Sequence, residues 1–524
     1  MTETFEMWLK GGLSLIALGV VLWDHYAKSD GSRRWAENVL GAMAVISVLA
    51  YFNFGLFHGR SYVNNWRDFQ NRYVHQWDQF HYFLNSKYFP ELGYDGLYVA
   101  TLQAQEELFP QFPISAATRD PRSNQVVPTA SLSQHQAEVR ARFTPKRWAA
   151  FLKDFYYFVN RNGIGYIGKL RLDHGFNGTP AWTFIAGLLS SRLEAKTNTL
   201  FWLSMLDVGL LVLMFYTIYR SYGRKSLFLS IILFGLGYGW RFFWSGGSFL
   251  RQDWLAALVC GICMLKTKRY TLSGLLLAYA GASRVYPLLF LFAPVVLFIR
   301  SLVLRKNSEW LWPLATGLVV GIILCFDMGS VAGRGMSVWN EFGDNIWLHR
   351  NTWLTNNVGL RNVLLYDRNT YHQDWVDWGL AEPWVVWQAN LYQIQRENAA
   401  GITLVISAFI AVLIFTVWQM ELDEATILGV AATFGTLLLT CYYWGMLLLF
   451  GLRRRTGVIV GLLVMNTGLY AIHVWRTVFE VIYGAMSWGL LVIFLVYAFP
   501  LALKNFTSKN NSVTLNLFHH PKMR

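Results

Sequence analysis

The 33 residues from Trp66 to Tyr98, WRDFQNRYVHQWDQFHYFLNSKYFPELGYDGLY, hold Asp68, Asp78, Glu91 and Asp95 with His75 and His81, crowded by Tyr, Phe and Trp. They follow an apolar run that reads as a membrane helix. Ionisable side chains are costly beside hydrocarbon and persist where they act, so this grouping points to a polar substrate just outside a bilayer. An interfacial belt of Trp and Tyr is the plainer alternative, but a belt does not need so many carboxylates. Asp78 and Tyr82 are four apart and share a face on a helix. A half-desolvated carboxyl at 78 is expected to titrate high and to suit general-base work, the alternative being a solvated or salt-bridged Asp. Asp68 is the second candidate. Asp95, in Tyr-Asp-Gly, stands at a plausible helix start, where capping is its simplest role.

Other chemistry-bearing residues lie farther along. Asp173 and His174 sit in the turn LRLDHGFNGTPAW. The stretch 339–362 carries Glu341, Asp344, His349, Arg350, Asn356, Asn357 and Arg361, and His372 follows. His81, His174 and His349 read either as hydrogen-bonded structural groups or as groups that orient a substrate. Arg251 in FLRQDW and Arg284 in ASRVYP fall at helix ends. An arginine at that depth snorkels or finds an anion, and a lipid phosphate held bidentately is the natural one. There is no HExxH and no paired CxxC, so no zinc site is expected. Cys260, Cys263, Cys325 and Cys441 all fall in apolar runs and read as small core hydrophobes. No cofactor is required; carboxylates near Asp78 could hold Mg²⁺ without needing it. Neither a Walker A loop nor GxGxxG after a strand occurs, which argues against a soluble nucleotide donor.

The frame for these groups is a membrane. The 524 residues are 54% hydrophobic and 15% charged, with mean hydropathy +0.31. Apolar runs of membrane-spanning length recur, and only helices or closed barrels can face lipid. The expected fold is therefore an all-α polytopic membrane protein. The net charge of +14 fits Lys/Arg-rich cytoplasmic loops and contact with anionic lipid better than a nucleic-acid footprint. Residues 1–57 read as two spans, 58–196 as a first extracytoplasmic loop with amphipathic interfacial helices near 94–109 and 147–161, and 197–327 as further spans. A second extracytoplasmic loop, 328–398, precedes the spans of 399–504 and a basic cytoplasmic tail, 505–524. The sum is about 13 spans, with short-loop cations all on one side. The region 424–452 is the ambiguous place, since it could be one helix or two. The first run lacks a cleavage site and reads as a retained helix. Such a chain belongs in an inner (cytoplasmic) membrane, with its working face outside.

This layout resembles the GT-C superfamily of membrane glycosyltransferases, and most closely the polyprenol-phosphate-mannose-dependent mannosyltransferases of glycosyltransferase family 87. The resemblance lies in Asp78 with Tyr82, in Gly93-Tyr94, and in Arg251-Gln252-Asp253-Trp254 opening a helix. It continues in Arg284 before Tyr286-Pro287 and in CYYWG at 441–445. Arg at 251, Asp at 253 and Arg at 284 depart from the family's usual Gly, Asn and Lys. The resemblance implies a GT-C-like bundle that transfers a sugar from a polyprenyl-phosphate donor to a glycolipid, glycan or protein hydroxyl, inverting the anomeric carbon. It makes Asp78 the base and Arg251, Gln252 and Arg284 the lipid-phosphate ligands. His81, Tyr82, Tyr94, Asp95, His174, His349, Arg350, Asn356 and Asn357 would then orient sugar or acceptor. Two other classes remain open: a transporter or flippase of a lipid-linked saccharide, using Asp207 or Asp327 in mid-span, and a non-catalytic subunit of a membrane complex, for which the 24 Trp could serve contacts. No internal repeat supports the transporter.

Overall fold

Local signals set most helix starts. Thr2 and Ser29 cap the first two helices, Glu3–Tyr26 and Asp30–Tyr51. Thr144 and Thr179 each precede a proline at the first helical position and open Pro145–Asn162 and Pro180–Ser190. A hydroxyl that accepts an orphan N–H, followed by a residue that needs none, is an efficient start. Gly223, at φ 84°, closes Thr197–Tyr222 in the left-handed region open to glycine. The computed structural model describes residues 2–350, 352–365, 376–377, 379–380, 382–476 and 478–517, and His372 lies outside them.

The chain is predominantly helical and embedded in a membrane. Among the described residues seven helices are long and apolar enough to cross one: Glu3–Tyr26, Thr197–Tyr222, Tyr286–Val303, Leu311–Val331, Ala399–Val417, Thr456–Trp475 and Phe479–Phe506. Shorter apolar helices, among them Arg224–Gly235, Asp253–Lys266 and Tyr270–Ser283, pack between them. Ion pairs gather alternate chain ends at one end of the bundle. Asp24 meets Lys225, Glu37 meets Arg224, and Lys268 meets Glu309. Arg453 holds Glu421 and Asp423 together, and Arg455 holds Glu424. The 424–452 region is two arms: Leu422–Ile427 and Gly429–Thr436 lead to a two-residue strand at Leu439–Thr440, then Cys441–Gly451 returns as a 3₁₀ run. Asn357–Val358 pairs antiparallel with that strand.

At the other end residues 66–190 form a packed body rather than a set of interfacial helices. Pro145–Asn162 buries Trp148, Phe151, Phe155 and Phe158 against the protein, and Leu97–Leu108 is buried along most of its length. Their apolar faces are covered by each other, which is why an amphipathic pattern alone misplaces them at a lipid surface. The polar stretch between them is not all loop. Ala117–Asp120 pairs antiparallel with Gln125–Pro128, the turn closing through Asn124 at φ 55°. Arg119 of this hairpin donates to Glu382 (2.8 Å) and Asn124 to the Thr352 hydroxyl (3.1 Å), which ties the two long segments together. At the carboxyl end the helix Phe479–Leu517 runs on through most of the stretch expected to be a tail.

Candidate active site

Asp78 ends the short turn Gln76–Asp78, which His75 caps by accepting the Asp78 N–H on Nδ1 (3.2 Å). The His75 N–H donates to the Gly247 carbonyl (2.9 Å), as does the Ser204 hydroxyl (2.8 Å). Gly247 is at φ 69°, and a Cβ there would lie 1.7 Å from the Tyr73 carbonyl oxygen, so no other residue fits. The same loop supplies Ser248, whose hydroxyl donates to Asp78 Oδ2 (2.8 Å), and Arg251, whose Nη1 lies 3.3 Å from that oxygen. Asp207 fixes the loop from below. It sits ten residues into Thr197–Tyr222, about 15 Å along the axis, and accepts the N–H groups of Arg251 (2.9 Å) and Gln252 (3.0 Å). Irregular backbone this far into a bundle is tolerated where protein groups satisfy it.

Around the Asp78–Arg251 pair stand aromatic rings. The Arg251 guanidinium lies 4.2 Å from the Tyr442 ring, 5.8 Å from Tyr82 and 5.9 Å from Tyr443. Tyr82 meets Trp182 edge to face at 5.3 Å, and Arg284 lies over the other partner, 5.5 Å from the Trp182 ring. Trp182 in turn donates from Nε1 to the Leu250 carbonyl. Asp78, Tyr82, Arg251 and Arg284 thus form one buried cluster at the end of the bundle.

The cluster is incompletely bonded. Arg284 is buried and donates only to the Ser283 carbonyl, its Nε without a partner. No carboxylate lies within ion-pair distance of it among the described residues. Asp253 receives Tyr279 (2.8 Å) and Ser283 (2.6 Å) on Oδ2 but nothing on Oδ1. The Tyr286 hydroxyl is buried and unbonded, its ring 5.0 Å from both Trp254 and Tyr443. Buried polar atoms are nearly always bonded, and a set of exceptions in one place marks where a ligand fits.

Burial works to raise the Asp78 carboxyl, yet Arg251, His75 and the Ser248 hydroxyl together outweigh it and hold the group below its ordinary value. The high-titrating carboxyl expected from position alone is not found, because the sequence does not reveal that Arg251 stands beside it. As it stands, Asp78 is ionised and neutralised.

Several other sequence candidates lie elsewhere. Asp68 is on the helix Trp66–Tyr73, partly exposed, paired with Arg72 (2.7 Å) and accepting the Asn64 N–H; it is a local ion pair, not a second base. The Arg72 hydrogen bond is the main cause of its lowered titration. Asp95 faces His135 (3.3 Å) and Arg142 (3.6 Å) within the outer body. His81 is fully engaged, with Nδ1 at the Trp77 carbonyl (3.0 Å) and Nε2 at the Tyr98 hydroxyl (2.9 Å). Tyr94 donates to the Gly178 carbonyl and Tyr82 to Asn177. Gln252 turns its side chain to the Tyr51 hydroxyl. Arg350 is exposed and stacked on Trp347. His174 and His349 do meet, ring to ring at 5.9 Å, with His174 Nδ1 bonded to Asn124, but in a separate cluster. Asn356 accepts the Cys441 N–H and Asn357 pairs with Thr440, so both brace the backbone that presents Tyr442 and Tyr443.

Sequence reasoning missed Ser248 and Trp182, and it noted Tyr442 and Tyr443 only as part of CYYWG, without a role of their own. The available signals were SGGS before FLRQDW and the break that CYYWG makes in an apolar run. Among the described residues no group of three or more His, Cys, Asp or Glu could hold a metal ion. No family model, no curated protein and no solved structure matches this chain.

Proposed function

We propose that the chain is a polytopic membrane glycosyltransferase that uses a polyprenyl-phosphate-linked sugar, with Asp78 as the base. The observation that carries the reading is the cluster itself: a carboxylate, two buried arginines and unbonded polar atoms walled by Trp and Tyr. A sugar phosphate complements this set. Its phosphate oxygens suit the Arg284 and Arg251 guanidiniums, its hydroxyls suit Asp253 Oδ1 and the Tyr286 hydroxyl, and its apolar ring face suits Trp254 and Tyr443.

The Asp78–Arg251 pair gives the step an order. A phosphate that draws Arg251 toward itself removes the charge that keeps Asp78 weakly basic. Asp78 then takes the proton from the acceptor hydroxyl as that oxygen attacks the anomeric carbon. The carbon–oxygen bond to phosphate breaks with inversion, its electron pair goes to the departing phosphate, and the two arginines neutralise the charge that develops there. The 13-pass arrangement fits this reading, because the ion pairs at the far end join the ends of alternate runs, and both long segments then lie on the Asp78 side. By the Lys/Arg rule that side is extracytoplasmic. Asp207, a mid-helix carboxylate that a transporter could use, is committed to two backbone N–H groups.

The test is transfer from a labelled prenyl-phosphate sugar by the purified full-length chain. Asp78→Asn keeps the shape and loses about 10²–10⁴ in rate. Full activity in that variant removes the base and with it the mechanism.

A further inference from the structure

The loop that carries Arg251 carries a second buried arginine ten residues earlier, and among the described residues that one has no carboxylate within ion-pair distance, Glu6 acting on it only from farther away. Arg241 precedes the short helix Phe242–Ser245 and is enclosed by the ends of three long helices, Glu3–Tyr26, Thr456–Trp475 and Phe479–Leu517. Its Nη1 reaches only the Met7 sulfur, its guanidinium lies 4.3 Å from the Tyr238 ring, and its Nε has no partner. Lys10 is committed to Glu6 (2.7 Å), and Glu3 lies 3.2 Å from His473 Nε2 without a hydrogen bond between them. Three further donors on the surrounding elements are buried and unbonded: the Tyr470 and Tyr483 hydroxyls and Trp244 Nε1. The rings connect them. Tyr238 lies 5.2 Å from Tyr470 and 5.9 Å from Tyr483, and Phe479 lies between Tyr483 and Trp244. A buried cation beside spare N–H and O–H groups lacks one thing, an anion with several acceptor oxygens.

The surroundings say where that anion comes from. Phe5, Trp8, Phe243 and Trp475 are all exposed on the elements that enclose Arg241, Trp475 by 80%. An aromatic collar outside a buried arginine, at the end of a membrane bundle, suits the glycerol and first methylenes of a lipid. We infer that Arg241, with Tyr470 and Trp244, seats the phosphate of an anionic phospholipid in the leaflet on the Asp78 side. This seat is separate from the Arg251–Arg284 cluster, and neither needs the other to be right.

The experiment uses the full-length chain, purified without phosphate and titrated with phosphatidylglycerol or with diacylglycerol of the same tails, bound lipid being counted by native mass spectrometry. Phosphatidylglycerol should bind and diacylglycerol should not. Arg241→Gln and Tyr470→Phe, which removes one oxygen, should each weaken the phospholipid by about tenfold or more, as expected for hydrogen bonds to a charged group. Equal binding of the two lipids, or unchanged phospholipid affinity in a folded Arg241→Gln protein, overturns the inference. If that variant does not fold, unchanged affinity in Tyr470→Phe does so instead. Inorganic phosphate that displaces the lipid and protects the protein from heat equally well would make the seat one for a free anion, which also overturns it.

Discussion

Two buried ion pairs in this protein, each with one member on a short helical turn of the outer body, differ in one respect. Lys87 and Asp154 are saturated. Lys87 Nζ reaches Asp154 Oδ2 (2.6 Å) and the Leu193 carbonyl, while Asp154 also accepts the Tyr88 hydroxyl (2.8 Å) and the Ala195 N–H (2.8 Å). Asp78 and Arg251 are as buried, but a turn away lie Arg284 Nε, Asp253 Oδ1 and the Tyr286 hydroxyl with nothing to bond. Burial and charge are alike in the two. What separates scaffold from site is unused hydrogen-bonding capacity, which a folded chain keeps only where a ligand supplies the missing partner.

Substitutions in the two pairs should therefore diverge. The largest effect is on Asp78→Asn, where transfer falls by about 10²–10⁴ and the protein still elutes as a folded species. Asp154→Ala should do the opposite. It strands Lys87 and costs about 3–5 kcal/mol of stability, seen as a lower melting temperature, while transfer per folded molecule is unchanged. If Asp154→Ala instead abolished transfer at full stability, the division would fail. Arg284→Gln comes next. It removes an uncompensated buried cation, so the empty protein should be as stable as before or more so, while the KM for the prenyl-phosphate donor rises by about tenfold or more. A marked loss of stability would show that Arg284 is scaffold after all.

The smallest effect is in acid. Burial, with Arg119 alongside, lowers His174 and His349 to about 4 each, so both are neutral in the fold. Between an unfolded value of about 6.5 and about 4 the unfolded chain binds protons that the folded one does not. Stability contributed by these rings is thus complete above that window and is lost as the pH falls through it. Melting curves from pH 7 to pH 4 should show the decline, and His174→Asn should flatten it. A flat profile in the parent protein would place these rings outside the packed outer body.

The chemical centre was partly legible. Asp78, Tyr82, Arg251 and Arg284 could be picked out because each is an ionisable or polar group in an otherwise apolar setting, and the fold brings them together. Asp68, Asp95 and Arg350 looked equally promising by type. Asp68 and Arg350 have partners that helical spacing already offers, an arginine four residues on and a tryptophan three residues back, whereas Asp95 is set apart by a histidine forty residues on that spacing does not reveal. Ser248 was hidden for the converse reason, since its type is ordinary and only a loop drawn into the bundle gives it a role.

Composition and the alternation of apolar runs with cations determined by themselves that this is a helical membrane protein, because lipid leaves the backbone no other way to bond. Capping residues such as Thr144-Pro145 and Thr179-Pro180 likewise fixed where helices begin, since that chemistry is local. Which carboxylate meets which cation was decided only by the tertiary structure. Asp78 and Arg251 are 173 residues apart in the chain, and whether a charge is free, paired or waiting for a ligand depends on what packs beside it.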